Sequence, residues 1–159
     1  MTASFSVVIA APPRHVFDYL SDPRHRPEWQ SSLRAIHLVD GGSPRAGTRW
    51  VDRTAVGANP RMEIVAMMPP GEAGEAGSWS EVGTWHGLSA RLTLGFEPVD
   101  GEPEVTMLRV AIDIDSTPCW LPVRAVLRAL APAAVRSDLL RAARILESRP
   151  GPHRRGDVV

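Results

Sequence analysis

Along the N-terminal stretch Phe5, Val7 and Ile9 alternate with Ser6, Val8 and Ala10, an imperfect two-residue period that predicts a strand. Pro12 and Pro13 end it and suit the first turn of a helix, where a missing N–H costs nothing. Val16, Phe17 and Leu20 then form a narrow apolar stripe at helical spacing, and Ser21-Asp22-Pro23 stops that helix and starts a second that runs toward Trp29. Beyond Trp29 the period returns to two. Strands are predicted over Leu33 to Val39, Thr48 to Ala55, Arg61 to Met68, Trp79 to His86, Ser89 to Glu97 and Val105 to Asp115. Their separators carry turn chemistry: Asp40-Gly41-Gly42-Ser43-Pro44, Gly57-Ala58-Asn59-Pro60, a small-residue loop from Pro69 to Gly77, Gly87, and Asp100 to Pro103. Short strands at regular spacing argue for an antiparallel sheet. From Leu121 to Glu147 the pattern turns helical, with Pro122 near the first turn and Pro132 inside, where a proline predicts a kink near residues 128 to 132. The sum is an α+β chain.

The strand faces sort further. Leu88, Ala90, Leu92, Leu94 and Phe96 alternate strictly and share a face, as do Leu108, Val110, Ile112 and Ile114. On the third strand Thr48, Trp50, Asp52 and Thr54 share a face against Arg49, Val51, Arg53 and Ala55. The fourth groups Met62, Ile64, Ala66 and Met68, and the fifth groups Trp79, Glu81, Gly83 and Trp85. If the tryptophan-bearing faces point inward, Asp52 and Glu81 go with them. In the last helix Val135, Leu139, Ala142, Ala143 and Leu146 can face the sheet, leaving Arg136, Arg141, Arg144 and Asp138 toward its flanks and solvent.

Composition narrows the class. The 159 residues, 43% hydrophobic and 23% charged, suit one domain with its own core, placed at residues 1–147, with 148–159 as a polar, disordered tail. Eighteen basic residues balance eighteen acidic ones, so no global field draws nucleic acid. Every basic residue is an arginine, which excludes lysine Schiff-base chemistry. The N-terminus has no basic and long apolar leader, no run approaches the ~20 apolar residues of a membrane span, and the lone Cys119 has no partner for an intramolecular disulfide. A cytoplasmic protein without integral membrane association is expected, as monomer or dimer, with Cys119 a buried, inert thiol.

The run AP…VF…L.D…PEW, the hairpin start Gly47-Thr48-Arg49-Trp50, the strands after it and the final helix ending Asp138-Leu139-Leu140-Arg141-Ala142-Ala143-Arg144-Ile145-Leu146-Glu147 resemble the START-like, or helix-grip, superfamily. Within it the chain is similar to the small bacterial polyketide cyclase/dehydrase and lipid-transport family. The resemblance implies a curved antiparallel sheet of about seven strands wrapped around a long C-terminal helix, with two short helices after the first strand. It also implies an internal cavity between sheet and helix for an apolar small molecule, polyketide-like, aromatic or lipid-like. The expected lining is Trp50, Thr54, Met62, Ile64, Trp79, Trp85, Leu92, Leu94, Val110, Ile112 and Leu139. A solid core is the alternative.

Two carboxylates in an aromatic-lined interior would be costly unless paired, hydrogen-bonded or protonated, and burial raises their pKa into a range that suits proton transfer. Cyclisation or dehydration of a poly-ketone needs a base beside a carbonyl and an acid for the departing hydroxyl, so Asp52 and Glu81 are the candidate catalytic pair. Salt bridging by Arg49, Arg53 or Arg61, or a place at the surface, is the competing reading. Some aromatase/cyclases of this resemblance use a pocket arginine, but Arg49 and Arg53 fall opposite Trp50, so that set is not carried over. His86 is expected in an exposed turn and Tyr19 in packing. No histidine pair has metal-ligand spacing and no phosphate loop, GxSxG or CxxC occurs, so neither metal nor organic cofactor is expected. Three functions remain: a hydrophobic-ligand carrier or sensor, a polyketide cyclase/dehydratase, and a partner-docking homologue.

Overall fold

The computed structural model describes residues 2–39 and 41–149; of the tail expected over 148–159, residues 150–159 lie outside them, as does Asp40, while Ser148 still belongs to the last helix. Strand β1 (Ala3–Ile9) leads into α1 (Pro13–Leu20), a 3-10 turn (Pro23–His25) and the four-residue α2 (Arg26–Trp29). Strands β2 (Leu33–Leu38), β3 (Arg49–Thr54), β4 (Arg61–Met68), β5 (Gly77–Trp85), β6 (Leu88–Val99) and β7 (Glu102–Ser116) follow. A second 3-10 turn (Pro118–Trp120) enters α3 (Leu121–Ser148). The sheet is one antiparallel surface of seven strands in the order β1-β7-β6-β5-β4-β3-β2, so the first strand closes beside the last. This is the α+β helix-grip architecture.

Register turns the alternating strands into continuous interior rows. Ile64 lies opposite Glu81, which lies opposite Leu92, which lies opposite Ile112. The next row runs Trp50, Met62, Gly83, Ala90 and Ile114. A Cβ on Gly83 would sit 2.7 Å from the Met62 sulfur, so the missing side chain is what lets Met62 cross that row.

The helices cover the two ends of this surface differently. The α1 stripe of Val16, Phe17 and Leu20 is fully buried against β6 and β7, with Phe17 edge-on to Phe96 at a centroid distance of 5.2 Å. In the second half of α3, Leu139, Ala142, Ala143 and Leu146 are buried in the same core. The first half buries nothing fully: Leu121, Val123, Val126, Leu127 and Leu130 are all exposed. It is moored through Arg128, whose Nε and Nη2 donate to the Ile114 carbonyl at 2.9 and 2.6 Å, and through Trp120, 5.6 Å from Trp85.

The structure bears on three expectations and corrects the last two. The helix runs unbroken through Pro132 from Leu121 to Ser148, so whatever bend the proline imposes is taken up without ending the helix. Cys119 is exposed, because the turn that carries it lies outside the sheet and packs only at its edge. Asp138 is buried rather than solvated, because the chain leaving α2 folds over that turn of α3.

The β5–β6 hairpin turns on His86 (φ 45°) and Gly87 (φ 86°), a two-residue loop whose positive φ values match the strand twist. Thr117 N donates to the Gly87 carbonyl at 2.9 Å, and a Cβ on Gly87 would lie 2.7 Å from the Thr117 hydroxyl. Gly87→Ala therefore meets both an unfavourable backbone and a clash, and is expected to cost about 1–2 kcal/mol, read as a lowered urea midpoint.

Candidate functional site

The site begins with the short punctuation between β1 and β2. Asp22 caps the 3-10 turn by accepting from Arg24 N at 3.0 Å, and Pro23 and Pro27 set the backbone at the starts of that turn and of α2. This fixes Arg26 with its side chain driven inward, only 3% exposed. Its Nη1 donates to Glu81 Oε2 at 2.6 Å and its Nη2 to Asp52 Oδ2 at 3.1 Å. The other Asp52 oxygen accepts from Trp50 Nε1 at 2.8 Å. The guanidinium also lies 5.3 Å from the Trp50 ring centroid and 5.8 Å from that of Trp29, within cation–π range.

One cation thus serves two buried anions. Burial works against the Arg26 charge, but Glu81 and Asp52 outweigh it and raise its pKa further. Burial pushes the Glu81 carboxyl above the ordinary carboxylate range; Arg26 pulls against that shift and the neighbouring Asp52 adds to it. The two acids are not equivalent in geometry. Both Asp52 oxygens are engaged, whereas among the described residues no donor reaches Glu81 Oε1.

Glu81 and Asp52 border a cavity of about 370 Å³ beneath the first half of α3. Thr54, Met62, Gly83, Leu92, Ile112 and Ile114 form its sheet wall, and Leu127, Ala131 and Val135 its helix wall. Val56 and Leu127, both exposed, with Trp85 mark the end nearest solvent. Arg26, Trp29, Gln30 and Asp138 gather at the α2 end. Asp138 Oδ1 accepts from Ser31 N at 3.0 Å, closing that end.

Of the residues that the sequence offers as lining, Thr54, Met62, Trp85, Leu92 and Ile112 border this space. Trp50, Ile64, Trp79, Leu94, Val110 and Leu139 do not: they are buried in the packed core. Asp52 and Glu81 are 2% and 4% exposed, and their cationic partner is Arg26 rather than Arg49, Arg53 or Arg61. Arg49 instead pairs with Glu63 on the outer surface. Tyr19 is buried away from the cavity, its hydroxyl donating to Glu28 at 3.1 Å and its ring stacked on His25. His86 is exposed at the hairpin tip. Arg26 and Asp138 were not among the sequence candidates. A four-residue helix is too short to show a periodic face, and the only local signal for Arg26 was its place two residues after Arg24 in a proline-bounded turn.

The long helix gripped by a seven-stranded antiparallel sheet, with a cavity between them, defines a START-like protein. The chain belongs to the polyketide cyclase/dehydrase and lipid transport family, whose model matches residues 1–149. No curated protein is found as a sequence relative. Solved structures share the fold at low identity. A START superfamily protein from Mycobacterium smegmatis is 16% identical, with a TM-score of 0.66 over 91% of this chain and 98% of that one. The Zhui aromatase/cyclase from a Streptomyces species is 14% identical, with a TM-score of 0.67 over 94% of each chain. Norcoclaurine synthase from Thalictrum flavum is 10% identical, with a TM-score of 0.67 over 94% of this chain and 95% of that one. No helix among the described residues is long and apolar enough to cross a membrane.

Removing Arg26 would strand two buried carboxyls. Arg26→Ala is expected to destabilise the fold by about 3–5 kcal/mol, measured by urea unfolding. The raised Glu81 pKa fixes a sign: between the ordinary and the raised value the folded state holds a proton that the unfolded chain has released, so stability falls as pH rises through that window. Glu81→Gln removes this component, and its unfolding free energy between about pH 5 and about pH 8 should decline less steeply than that of the wild type.

Proposed function

We propose that the chain binds an apolar small molecule in the cavity under α3, with the free oxygen of Glu81 meeting a polar group of the bound molecule. The observation that carries this reading is a space of about 370 Å³ with mostly apolar walls and the charged groups Arg26, Asp52, Glu81 and Asp138 gathered at the α2 end. Apolar walls supply affinity, while a few fixed polar groups orient the ligand. Carriers, sensors and cyclases share these requirements, and the aromatase/cyclase among the structural neighbours is in keeping with a polyketide-like ligand.

A catalytic extension is favoured by one specific feature, the unequal engagement of the two acids. Asp52 is occupied by Trp50 and Arg26 and serves to hold the guanidinium, whereas burial raises the Glu81 pKa beside the cavity, which favours Glu81 as the group that carries and transfers a proton. In loss of water from a β-hydroxy ketone, the C–H electron pair beside the carbonyl forms the C=C bond as the C–O bond breaks; the Glu81 proton leaves with the hydroxyl, and the resulting carboxylate takes up the proton released from that carbon. Glu81 is restored and one water leaves.

The cavity is tested with the neutral fluorophore N-phenyl-1-naphthylamine. Wild-type protein should bind it saturably, and Leu92→Trp, which fills the space, should weaken binding at least tenfold while keeping the wild-type circular dichroism. Equal binding by both proteins would refute the cavity site. For catalysis, Glu81→Gln should retain the fluorophore within about threefold but lose dehydration of a β-hydroxy ketone by 10²-fold or more. Turnover unchanged in that variant would overturn the role of Glu81, and absence of turnover by the wild type would assign the chain to the carriers.

A further inference from the structure

We propose that the preferred ligand carries a protonated amine on its apolar body, and that this cationic head is held at the α2 end of the cavity between Glu81 on the sheet and Asp138 on α3. The proposal rests on the cavity reading above and adds to it the charge and orientation of the ligand.

The argument begins with which oxygens are free. Glu81 gives Oε2 to Arg26, and Asp138 gives Oδ1 to the main chain of Ser31. Among the described residues, no donor reaches the remaining oxygen of either carboxyl. Both residues are more than nine-tenths buried and both border the same cavity. A half-engaged carboxyl from each wall is an arrangement that N–H donors from a molecule in the space complete.

Charge selects among donors. Asp52, Glu81 and Asp138 border the cavity, and the only guanidinium within that end, Arg26, is already committed to the first two. Arg91 also touches the cavity outline, but its exposed side chain alternates to the outer face of β6, where it flanks Val82 and Arg61. The acids therefore exceed the available cation, and an anionic head such as a carboxylate or phosphate would add like charge in a buried site. An ammonium has only donors, three of them, and brings the missing positive charge; beside it Glu81 can give up its proton at little cost. The Trp29 indole, within cation–π range of Arg26, borders the same end. The ligand body then runs along Leu92, Ile112 and Ala131 toward Trp85 and Val56.

The test compares one apolar body with three heads by calorimetric titration at neutral pH: 1-naphthylmethylamine, 1-naphthylmethanol and 1-naphthoate. The amine should bind about tenfold tighter than the alcohol, and the acid weakest. Asp138→Asn keeps a carbonyl oxygen for Ser31 and removes the charge. It should erase most of the amine's advantage while leaving the alcohol within about twofold of its wild-type affinity. Binding of the alcohol or the acid as tightly as the amine overturns the amine preference and leaves the cavity site standing. An amine advantage undiminished in Asp138→Asn overturns the role of Asp138. Failure of all three to bind, together with failure of the neutral fluorophore, overturns the cavity reading and the proposal with it.

Discussion

The guanidinium of Arg26 is the point on which the site depends. It joins α2 to β3 through Asp52 and to β5 through Glu81, across chain separations of 26 and 55 residues, with two indoles around it. Each of the three charged groups alone would be intolerable at that depth. Together they remain unbalanced, because two acids share one base. The imbalance is what distinguishes the cluster from an ordinary buried salt bridge. One carboxyl must hold a proton or find another cation, and Glu81 is the member with a free oxygen beside open space. A buried ion pair is poor evidence for stability, since a well-packed apolar substitute is often as stable. Its position on a cavity wall is therefore in keeping with the proposed ligand site rather than with a purely structural tie.

The cavity exists because α3 does two different things. Over Leu139 to Leu146 its small and branched residues lie directly on the sheet, with alanines at 142 and 143 allowing close approach. Over Leu127 to Asp138 the helix stands off, and the residues at 127, 131, 135 and 138 line the gap without filling it. On the facing sheet, Gly83 and Ala90 contribute almost no volume. The helix is one continuous rod, so the space is set by side-chain size along it and by the curvature of the sheet. The moorings of its first half, Arg128 on Ile114 O and Trp120 against Trp85, lie at the far rim from Arg26. One end of the cavity is thus held by buried charge and the other by groups near solvent.

Much of this was legible in the sequence, and the parts that were not share a cause. Strict alternation in Leu88 to Phe96 and in Leu108 to Ile114 gives both strands and their inward face, because a one-residue slip would turn every apolar side chain outward. The inward placement of Asp52 and Glu81 could be inferred from the tryptophans that alternate with them. Alternation says which face a residue is on, and nothing about whether a helix presses on that part of the face. Trp50, Trp79, Leu94 and Val110 share the inner surface with Leu92 and Ile112, yet only the latter two meet open space. Arg26 escaped because α2 is a single turn, and Asp138 because the loop that buries it lies 107 residues away in the chain. Contacts of that separation leave no trace in a local pattern.

The division between apolar walls and one polar end also bears on selectivity. Burying hydrocarbon is worth roughly 25 cal/mol per Å² whatever the hydrocarbon is, so Leu92, Ile112, Val135 and their neighbours discriminate little between ligands of similar size. Discrimination comes from groups whose partners cannot be supplied by water once the ligand is in place. At the α2 end those groups are fixed on three different elements, β5, α3 and the turn carrying Arg26, so a ligand head must match them all at once. On the proposed reading, a head of the wrong charge would leave a buried acid without a partner, a cost that burial of hydrocarbon along the walls offsets poorly. Specificity would then reside, on that reading, in a handful of polar atoms at the α2 end, and the larger apolar surface would set how tightly an accepted ligand is held.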